Sequence, residues 1–147
     1  MRVIVFMKAN KQSEAGVMPS EKLISEMMKF NEELVKAGVL LGAEGLHPSS
    51  KGVRVRFADG KTTVVDGPFA ETKELVAGFW LWQVKSVDEA VAWVKRIPAD
   101  PTGSVSEAEV EIRPIYEAED FSADVFTPEL KEQEKHLRAE VDKRQRA

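Results

Sequence analysis

A ten-residue stretch, V-D-G-P-F-A-E-T-K-E at residues 65–74, combines turn-forming residues with side chains that do acid/base chemistry. The Asp66 carboxylate has the chemistry of a general base or of a group that orients a ligand. Gly67 and Pro68 favour a tight corner, in which the same carboxylate would accept backbone N–H groups as an Asx turn. The stretch therefore predicts a structural corner and leaves open whether Asp66 also faces a ligand.

Four charged side chains near this corner are candidates for contact with an anionic ligand. Glu71 and Lys73 follow it directly, so Lys73 could neutralise an anion and Glu71 could carry a proton; a solvated charged loop is the usual alternative. Arg54 and Arg56 stand two positions apart in V-R-V-R-F. A strand places them on one face, where they could hold a carboxylate or phosphate, although a solvent-facing hairpin would need no ligand.

Histidine and tryptophan supply three further candidates. His47, in G-L-H-P, is the histidine nearest the predicted core elements, and an imidazole titrates near neutrality, whereas many loop histidines are simply exposed. Trp80 and Trp82 either line an aromatic pocket between protomers or are buried in an interface without a ligand. Two separated histidines and no cysteine offer no metal-ligand spacing, and nucleotide-binding and serine-hydrolase motifs are missing, so we predict neither a metal nor a cofactor.

The composition is that of a soluble globular protein of one domain's length, with 147 residues of which 43% are apolar and 31% charged. A net charge of -4 without a run of lysine or arginine argues against a nucleic-acid surface. The absence of cysteine suits a reducing compartment. The first apolar run, residues 3–7, is too short for a secretory signal or a membrane helix. We therefore expect a cytosolic protein that binds neither nucleic acid nor membrane.

The spacing of apolar residues predicts the elements of this domain. Residues 20–37 repeat apolar side chains every three or four positions and end at Gly38, which is typical of a helix. Ser86 and Glu89 form a capping-box pattern that begins a second helix, and Pro98 ends it. Residues 9–19 are expected to form a polar loop. The predicted strands are 2–8, 39–46, 53–57, 62–65, 77–85 and 105–116.

The order of these elements predicts a ferredoxin-like α+β fold. Apart from an inserted β-hairpin at residues 53–65, the order is β-α-β-β-α-β, the split unit of that fold. Two helices cover one face of such a sheet, yet strands 2–8 and 77–85 are apolar on both faces. A second copy of the chain is the simplest cover. We therefore predict a homodimer whose sheets pack face to face through the tryptophan face, a dimeric α/β barrel.

A change of character after residue 116 divides the chain into a domain at residues 1–116 and a linker with a helix at residues 117–147. The sequence T-P-E at residues 127–129 predicts the start of this helix, which runs to about residue 144. Its sparse apolar pattern fits a helix packed on its own core or on the partner chain, and it fits a solvated tail equally well. The apolar positions are Leu130, Leu137 and Val141.

Several segments together resemble one known family. They are G-V-L-L-G-A-E-G-L-H-P, V-R-V-R-F-A-D-G-K, V-D-G-P-F-A-E-T-K-E, A-G-F-W-L-W-Q-V and R-I-P-A-D-P-T-G before V-E-I-R-P. In this order and spacing, residues 1–116 resemble the DGPF branch of the YCII-related (YciI-like) proteins. The resemblance implies a dimeric α/β barrel of ferredoxin-like protomers, in agreement with the pattern of the elements.

The resemblance implies less about activity. Members of the wider group pair a histidine near the start of helix one with an aspartate just after helix two, and one branch dehydrochlorinates an aromatic ring. Asp100, in I-P-A-D-P, stands at the position of that aspartate, but helix one starts with P-S-E-K-L at residues 19–23, without a histidine. Some DGPF-branch proteins occur beside or fused to sigma-factor-like regulators.

Two hypotheses remain open. The first is a small homodimeric protein that binds an anionic or aromatic metabolite, with lyase- or isomerase-like acid/base chemistry through Asp66, Asp100 and His47. The second is a non-catalytic regulatory or partner-binding module, for which the charged C-terminal helix is the docking element.

Overall fold

The apolar segments form a four-stranded antiparallel sheet in the computed structural model, which describes residues 1–99 and 108–147. Its strands are β1 (Arg2–Lys8), β2 (Leu40–Gly45), β5 (Val76–Gln83) and β6 (Val110–Pro114). Their order is β2-β5-β1-β6, the order of the ferredoxin-like unit, so the predicted fold class is confirmed. The predicted start of the last strand, at residue 105, lies outside the described residues.

Two helices connect the sheet strands, and a third, short one lies in the segment predicted to be a loop. They are α1 (Lys11–Glu14), α2 (Glu21–Lys36) and α3 (Val87–Val94). The prediction of a plain loop is wrong at α1, because Asn10 and Ser13 cap each other: the Asn10 Oδ1 accepts the Ser13 N–H and the Ser13 Oγ accepts the Asn10 N–H, both at 2.9 Å.

Half of the capping box predicted for α3 is present. The Ser86 Oγ accepts the Glu89 N–H at 3.1 Å, as expected. The Glu89 carboxylate, however, accepts the N–H of Lys85 at 2.6 Å rather than that of Ser86. The reciprocal bond has therefore moved one residue towards the N-terminus, and the helix start is still satisfied on both sides.

The core lies between the sheet and the helices. Phe30 of α2 packs edge-on against the indoles of Trp80 and Trp82, with centroid distances of 6.1 and 6.4 Å. Trp82, Val3 and Val5 are fully buried within the single chain. The tryptophan face is therefore this chain's own core, and the prediction that it forms the contact between protomers is wrong. The alternation of apolar residues marked two faces without indicating which one the helices cover.

The opposite face of the sheet is also apolar at its centre. Ile4 pairs with Leu81 and Phe6 pairs with Phe79 across β1 and β5, and all four side chains are half-buried. We call these four residues the open face. They alternate with the core residues of the same strands, so they point away from α2 and α3.

The inserted hairpin is present as a separate two-stranded sheet. It consists of β3 (Val53–Ala58) and β4 (Lys61–Asp66), and all of their residues are exposed. The turn residues Asp59 and Gly60 have φ angles of 52° and 71°, the conformation of the favoured two-residue hairpin turns. The Asp-Gly signal in the sequence thus predicted the turn correctly.

The chain divides into two compact units, Met1–Pro114 and Ile115–Ala147. All the buried apolar side chains among the described residues belong to the first unit. The second contains α4 (Pro128–Gln145), which starts where the sequence predicted: the Thr127 Oγ1 accepts the Leu130 N–H at 3.3 Å and proline follows the cap. Its three large apolar side chains, at positions 130, 137 and 141, are all exposed.

Candidate functional site

The D-G-P-F corner links β4 to a short 3₁₀ turn, Thr72–Glu74, that precedes β5. Gly67 lies directly against a second 3₁₀ turn, Ser49–Lys51, and a Cβ atom on Gly67 would lie 1.7 Å from the carbonyl oxygen of Ser49. The Gly67 N–H donates to the Gly52 carbonyl at 2.9 Å, and the Gly67–Pro68 peptide is cis. The close approach of two backbones is therefore what requires glycine at this position.

A cluster of polar groups stabilises this corner, and nothing in the sequence indicated it. The cluster consists of Glu14, Ser49 and the Phe69 N–H, and we call it the Ser49 node. The Ser49 Oγ accepts the Phe69 N–H at 3.0 Å and donates to Glu14 Oε2 at 2.5 Å. The Glu14 Oε1 accepts the Ser49 N–H at 3.0 Å. All the groups of this node are engaged with each other, so it ties α1 and the Ser49–Lys51 turn to the corner and serves structure.

Asp66 lies at the end of β4, opposite Val53. Its residue is exposed, and its carboxylate forms no hydrogen bond or ion pair with any residue that the structure describes. The Asx turn expected from the sequence is therefore not formed, because the Gly67 and Phe69 N–H groups donate to Gly52 and Ser49 instead. The carboxylate is left free at the corner, and neither of the two hollows described for this chain is lined by it.

Arg54 is the candidate residue that the corner positions most directly. Its guanidinium carbon lies 3.8 Å from the centroid of the Phe69 ring, which is a stacked cation–π contact. Within residues 1–99 and 108–147, no carboxylate pairs with it. A guanidinium that is stacked on a ring keeps its N–H donors at the edge, where they match a planar carboxylate or a phosphate.

The strand register gives the hairpin two unlike faces. On one face Arg54, Arg56 and Lys61 stand beside Val65 and Thr63 without a carboxylate, and we call it the basic face. The other face is apolar apart from its ends, with Val55 opposite Val64 and Phe57 opposite Thr62. The two arginines therefore lie on one face, as predicted. Lys61 of β4 is a third cation on this face, and it was not among the predicted site residues.

The remaining charged candidates do not converge with Asp66 into one cluster. Glu71, Lys73 and His47 are exposed, and none contacts a charged or hydrogen-bonding partner among the described residues. Asp100 lies outside the described residues, so its predicted role stays a prediction.

The two tryptophan candidates are placed in the core. The Trp80 Nε1–H donates to the Asn31 Oδ1 of α2 at 3.0 Å, and Trp82 is 0% exposed. Within the described part of the chain, the Trp82 Nε1–H has no hydrogen-bond partner. Neither indole is part of the lining of the two hollows that the structure describes.

Within the described ranges, no three histidine or acidic side chains lie close enough to hold a metal ion. Of the helices described, none is both long and apolar enough to cross a membrane.

Comparison with known proteins identifies the first unit. The family model described as the YCII-related domain matches residues 1–117. The chain belongs to the YCII-related domain family. The family-level resemblance inferred from the sequence is therefore confirmed, and it covers the sheet, the hairpin and the D-G-P-F corner.

Two individual proteins illustrate the range of similarity. An uncharacterised protein of Rhizobium meliloti (strain 1021) is 36% identical over 97 residues, which are 65% of this chain and 74% of the relative. A solved structure of 5-chloro-2-hydroxyhydroquinone dehydrochlorinase from Burkholderia phenoliruptrix, in complex with 2,5-dihydroxybenzoquinone, has a TM-score of 0.42 and 17% identity. The match covers 81% of this chain and 98% of that one.

The start of α2 in this YCII-related chain has a structural residue where the resemblance implied a histidine. Ser20 is the N-cap, and its Oγ accepts the Leu23 N–H at 3.1 Å. A serine that caps a helix in this way is not a proton carrier near neutral pH. Any acid/base chemistry of this chain therefore depends on other residues.

Proposed function

We propose that this YCII-related protein is a homodimer that binds a small anionic metabolite at the basic face of its hairpin. The observation that carries the proposal is the Arg54 guanidinium, stacked on Phe69 at 3.8 Å and not neutralised by a described carboxylate. Arg56 and Lys61 add positive charge on the same face. A carboxylate or phosphate is the ligand class that such a set recognises.

Two apolar surfaces support the homodimer. The open face presents Ile4, Phe6, Phe79 and Leu81, and the hairpin exposes Phe57 at 79% and Val64 at 63%. Side chains of this size on a free two-stranded hairpin are unusual unless another surface covers them. A second copy would cover both surfaces and would close the corner around Arg54 and Asp66.

Binding of inorganic phosphate, malonate and benzoate, measured by calorimetry, tests the Arg54 assignment. We expect Arg54→Gln to weaken the best of these ligands by about tenfold or more, since a charged hydrogen bond contributes about 1.5–3 kcal/mol. Arg54→Lys should recover little, because lysine keeps the charge but loses the planar fork and the stacking on Phe69. Lys22→Gln, which removes an exposed cation of α2, is the matched control. Equal affinities for wild type and Arg54→Gln would refute the site.

We further propose that the protein catalyses acid/base chemistry of the lyase or isomerase kind on the bound anion. Asp66 lies at the end of β4 on the face opposite to Arg54, so a ligand on the basic face would reach it around that strand end. It is the proposed base because its carboxylate is exposed and unengaged among the described residues.

If the protein catalyses the exchange of carbon-bound protons of a carboxylate ligand with deuterons of D₂O, we expect Asp66→Asn to abolish this exchange. The variant should still bind the anion. Unchanged exchange in Asp66→Asn would show that Asp66 is not the base. Asp100 and His47 would then be the remaining candidates for that role.

A partner-binding module is the second candidate function, and α4 favours it. This helix exposes Leu130, Leu137 and Val141 by 44%, 57% and 53%, in a unit that has no buried apolar side chain of its own. We propose that a partner helix or groove would cover them. Three expectations stay predictions from the sequence: membership of the DGPF branch, a cytosolic location and an association with a sigma-factor-type regulator.

A further inference from the structure

The second unit contains a hollow lined by aromatic rings and carboxylates. Its volume is about 280 Å³, and its lining residues lie between Tyr116 and Glu134. The rings of Tyr116 and Phe121 have centroids 5.2 Å apart, and those of Phe121 and Phe126 lie 5.7 Å apart. The three rings therefore pack against one another, and all three contribute to the lining of the hollow, which we call the aromatic pocket. Tyr116 is 75% exposed and Phe121 42%, so the rings remain accessible.

The segment that carries the three rings of the aromatic pocket is acidic. Residues 115–130 contain five carboxylates and no lysine, arginine or histidine. Hydrogen bonds from the Ser122 side chain and from its own backbone lower the pKa of Asp124, which is part of this segment but does not line the hollow. Two glutamates line the hollow itself, and both are engaged: the Glu117 carboxylate accepts the Asp120 N–H, and Glu134 pairs with Arg138. The two charged side chains in the lining are both acidic, with Arg138 paired to one of them, and an acidic lining raises the local concentration of cationic ligands.

From these two features we propose that the aromatic pocket binds a small alkylammonium cation. Aromatic faces attract an ammonium group through the negative side of the ring, and nearby carboxylates supply the counter-charge. A hollow of about 280 Å³ lies at the lower end of the size range of ligand sites, which suits a compact cation rather than a long chain. The site is separate from the basic face of the hairpin and selects the opposite charge.

Arg138 forms an ion pair with Glu134, one of the carboxylates that line the aromatic pocket. Arg138 donates from Nε and Nη2 to the Glu134 Oε1, at 2.9 and 2.6 Å. The Arg138 guanidinium therefore competes with an incoming ammonium group for the same oxygen. The competition predicts that removal of Arg138 strengthens binding of the ligand, which a purely structural cluster of rings would not do.

Choline and 3,3-dimethyl-1-butanol, titrated into the full chain and followed by NMR of the aromatic side chains, test the proposal. The two probes have nearly the same shape and differ in charge. We expect choline to saturate the Tyr116 and Phe121 signals and to bind about tenfold more tightly than the neutral alcohol. Equal affinities would overturn the proposal, because they would leave apolar contact as the whole interaction.

Variants of the rings and of the ion pair sharpen this test. Phe121→Leu keeps an apolar side chain but removes the ring face, and we expect it to weaken choline about fivefold or more; Phe57→Leu, at an exposed ring of the hairpin, is the matched control. Arg138→Gln should tighten choline binding and Glu134→Gln should weaken it. Far-UV circular dichroism of each variant checks that α4 is intact. Unchanged choline affinity in both Phe121→Leu and Glu134→Gln, with α4 intact, would overturn the proposal.

Discussion

Gly67 shows how one residue determines the shape of the D-G-P-F corner. We expect Gly67→Ala to lower the free energy of unfolding by about 3 kcal/mol or more, because the added Cβ would lie 1.7 Å from the Ser49 carbonyl oxygen and one of the two backbones would have to move. Urea denaturation followed by circular dichroism measures this loss.

Gly45→Ala is the control for that experiment. A Cβ at Gly45, in β2, would meet no atom within 4 Å, so its effect should stay within about 0.5 kcal/mol. Similar losses for the two variants would mean that the close approach to Ser49 is not what destabilises Gly67→Ala, because replacing a glycine by itself lowers the entropy of the unfolded chain and would stabilise the protein.

The sequence predicted the position of the corner but not the residues whose hydrogen bonds stabilise it. Gly67 and Pro68 indicated a turn, and the obvious local acceptor for its N–H groups was the adjacent Asp66. The acceptors are instead Gly52 and Ser49, and Glu14 fixes Ser49 from 35 residues away. Contacts of such separation leave no periodic pattern in a sequence, so they appear only once the fold brings the segments together.

The hairpin is the element whose stability depends most on its surroundings. Because β3 and β4 expose all of their residues, we expect their amides to exchange hydrogen much faster than those of β1 and β5 when the protein is dilute. Raising the concentration until the homodimer forms should slow exchange in the hairpin and on the open face. Hydrogen–deuterium exchange with mass spectrometry, alongside sedimentation, measures both.

Two outcomes of that experiment would contradict the proposed assembly. Hairpin amides that are as protected as those of β5 in the dilute monomer would show that the hairpin is stable alone. A dimer that forms without new protection in the hairpin would place the interface elsewhere on the chain.

Element positions were predictable because each depends on a local signal. The Asp-Gly turn, the cap at Ser86 and the proline after Thr127 all lie where the sequence indicated. The side of the sheet on which the helices pack was not predictable, since β1 and β5 are apolar on both faces. The choice is made by Phe30 and Leu34 of α2, which pack on the tryptophan side.

The whole molecule consists of a unit with a core and a unit without one. We expect a chain that lacks residues 118–147 to keep its cooperative unfolding transition, with a midpoint within a few degrees of that of the full chain, because the buried apolar side chains described all lie between Val3 and Ala90. Thermal denaturation measures the midpoint. A molten or insoluble fragment would show that the second unit contributes to the core of the first.

The same deletion separates the two candidate functions. If the chain binds an anion through Arg54, the shortened protein should bind phosphate or malonate with unchanged affinity. If α4 is the docking element, the shortened protein should lose a co-purifying partner while its oligomeric state is retained. The two outcomes are independent, because the basic face belongs to the first unit and α4 to the second.

The packing around Phe30 also gives the protein two separate optical signals. The ring contacts Trp80, Trp82 and Trp93, which are all the tryptophans of the chain, and Tyr116, its single tyrosine, lies at the aromatic pocket. Indole emission therefore reports on the packing of α2 against the sheet, whereas second-derivative absorbance, which resolves the phenol from the overlapping indole bands, reports on the second unit. The natural sequence thus allows the two units to be followed in one cuvette, without an attached dye.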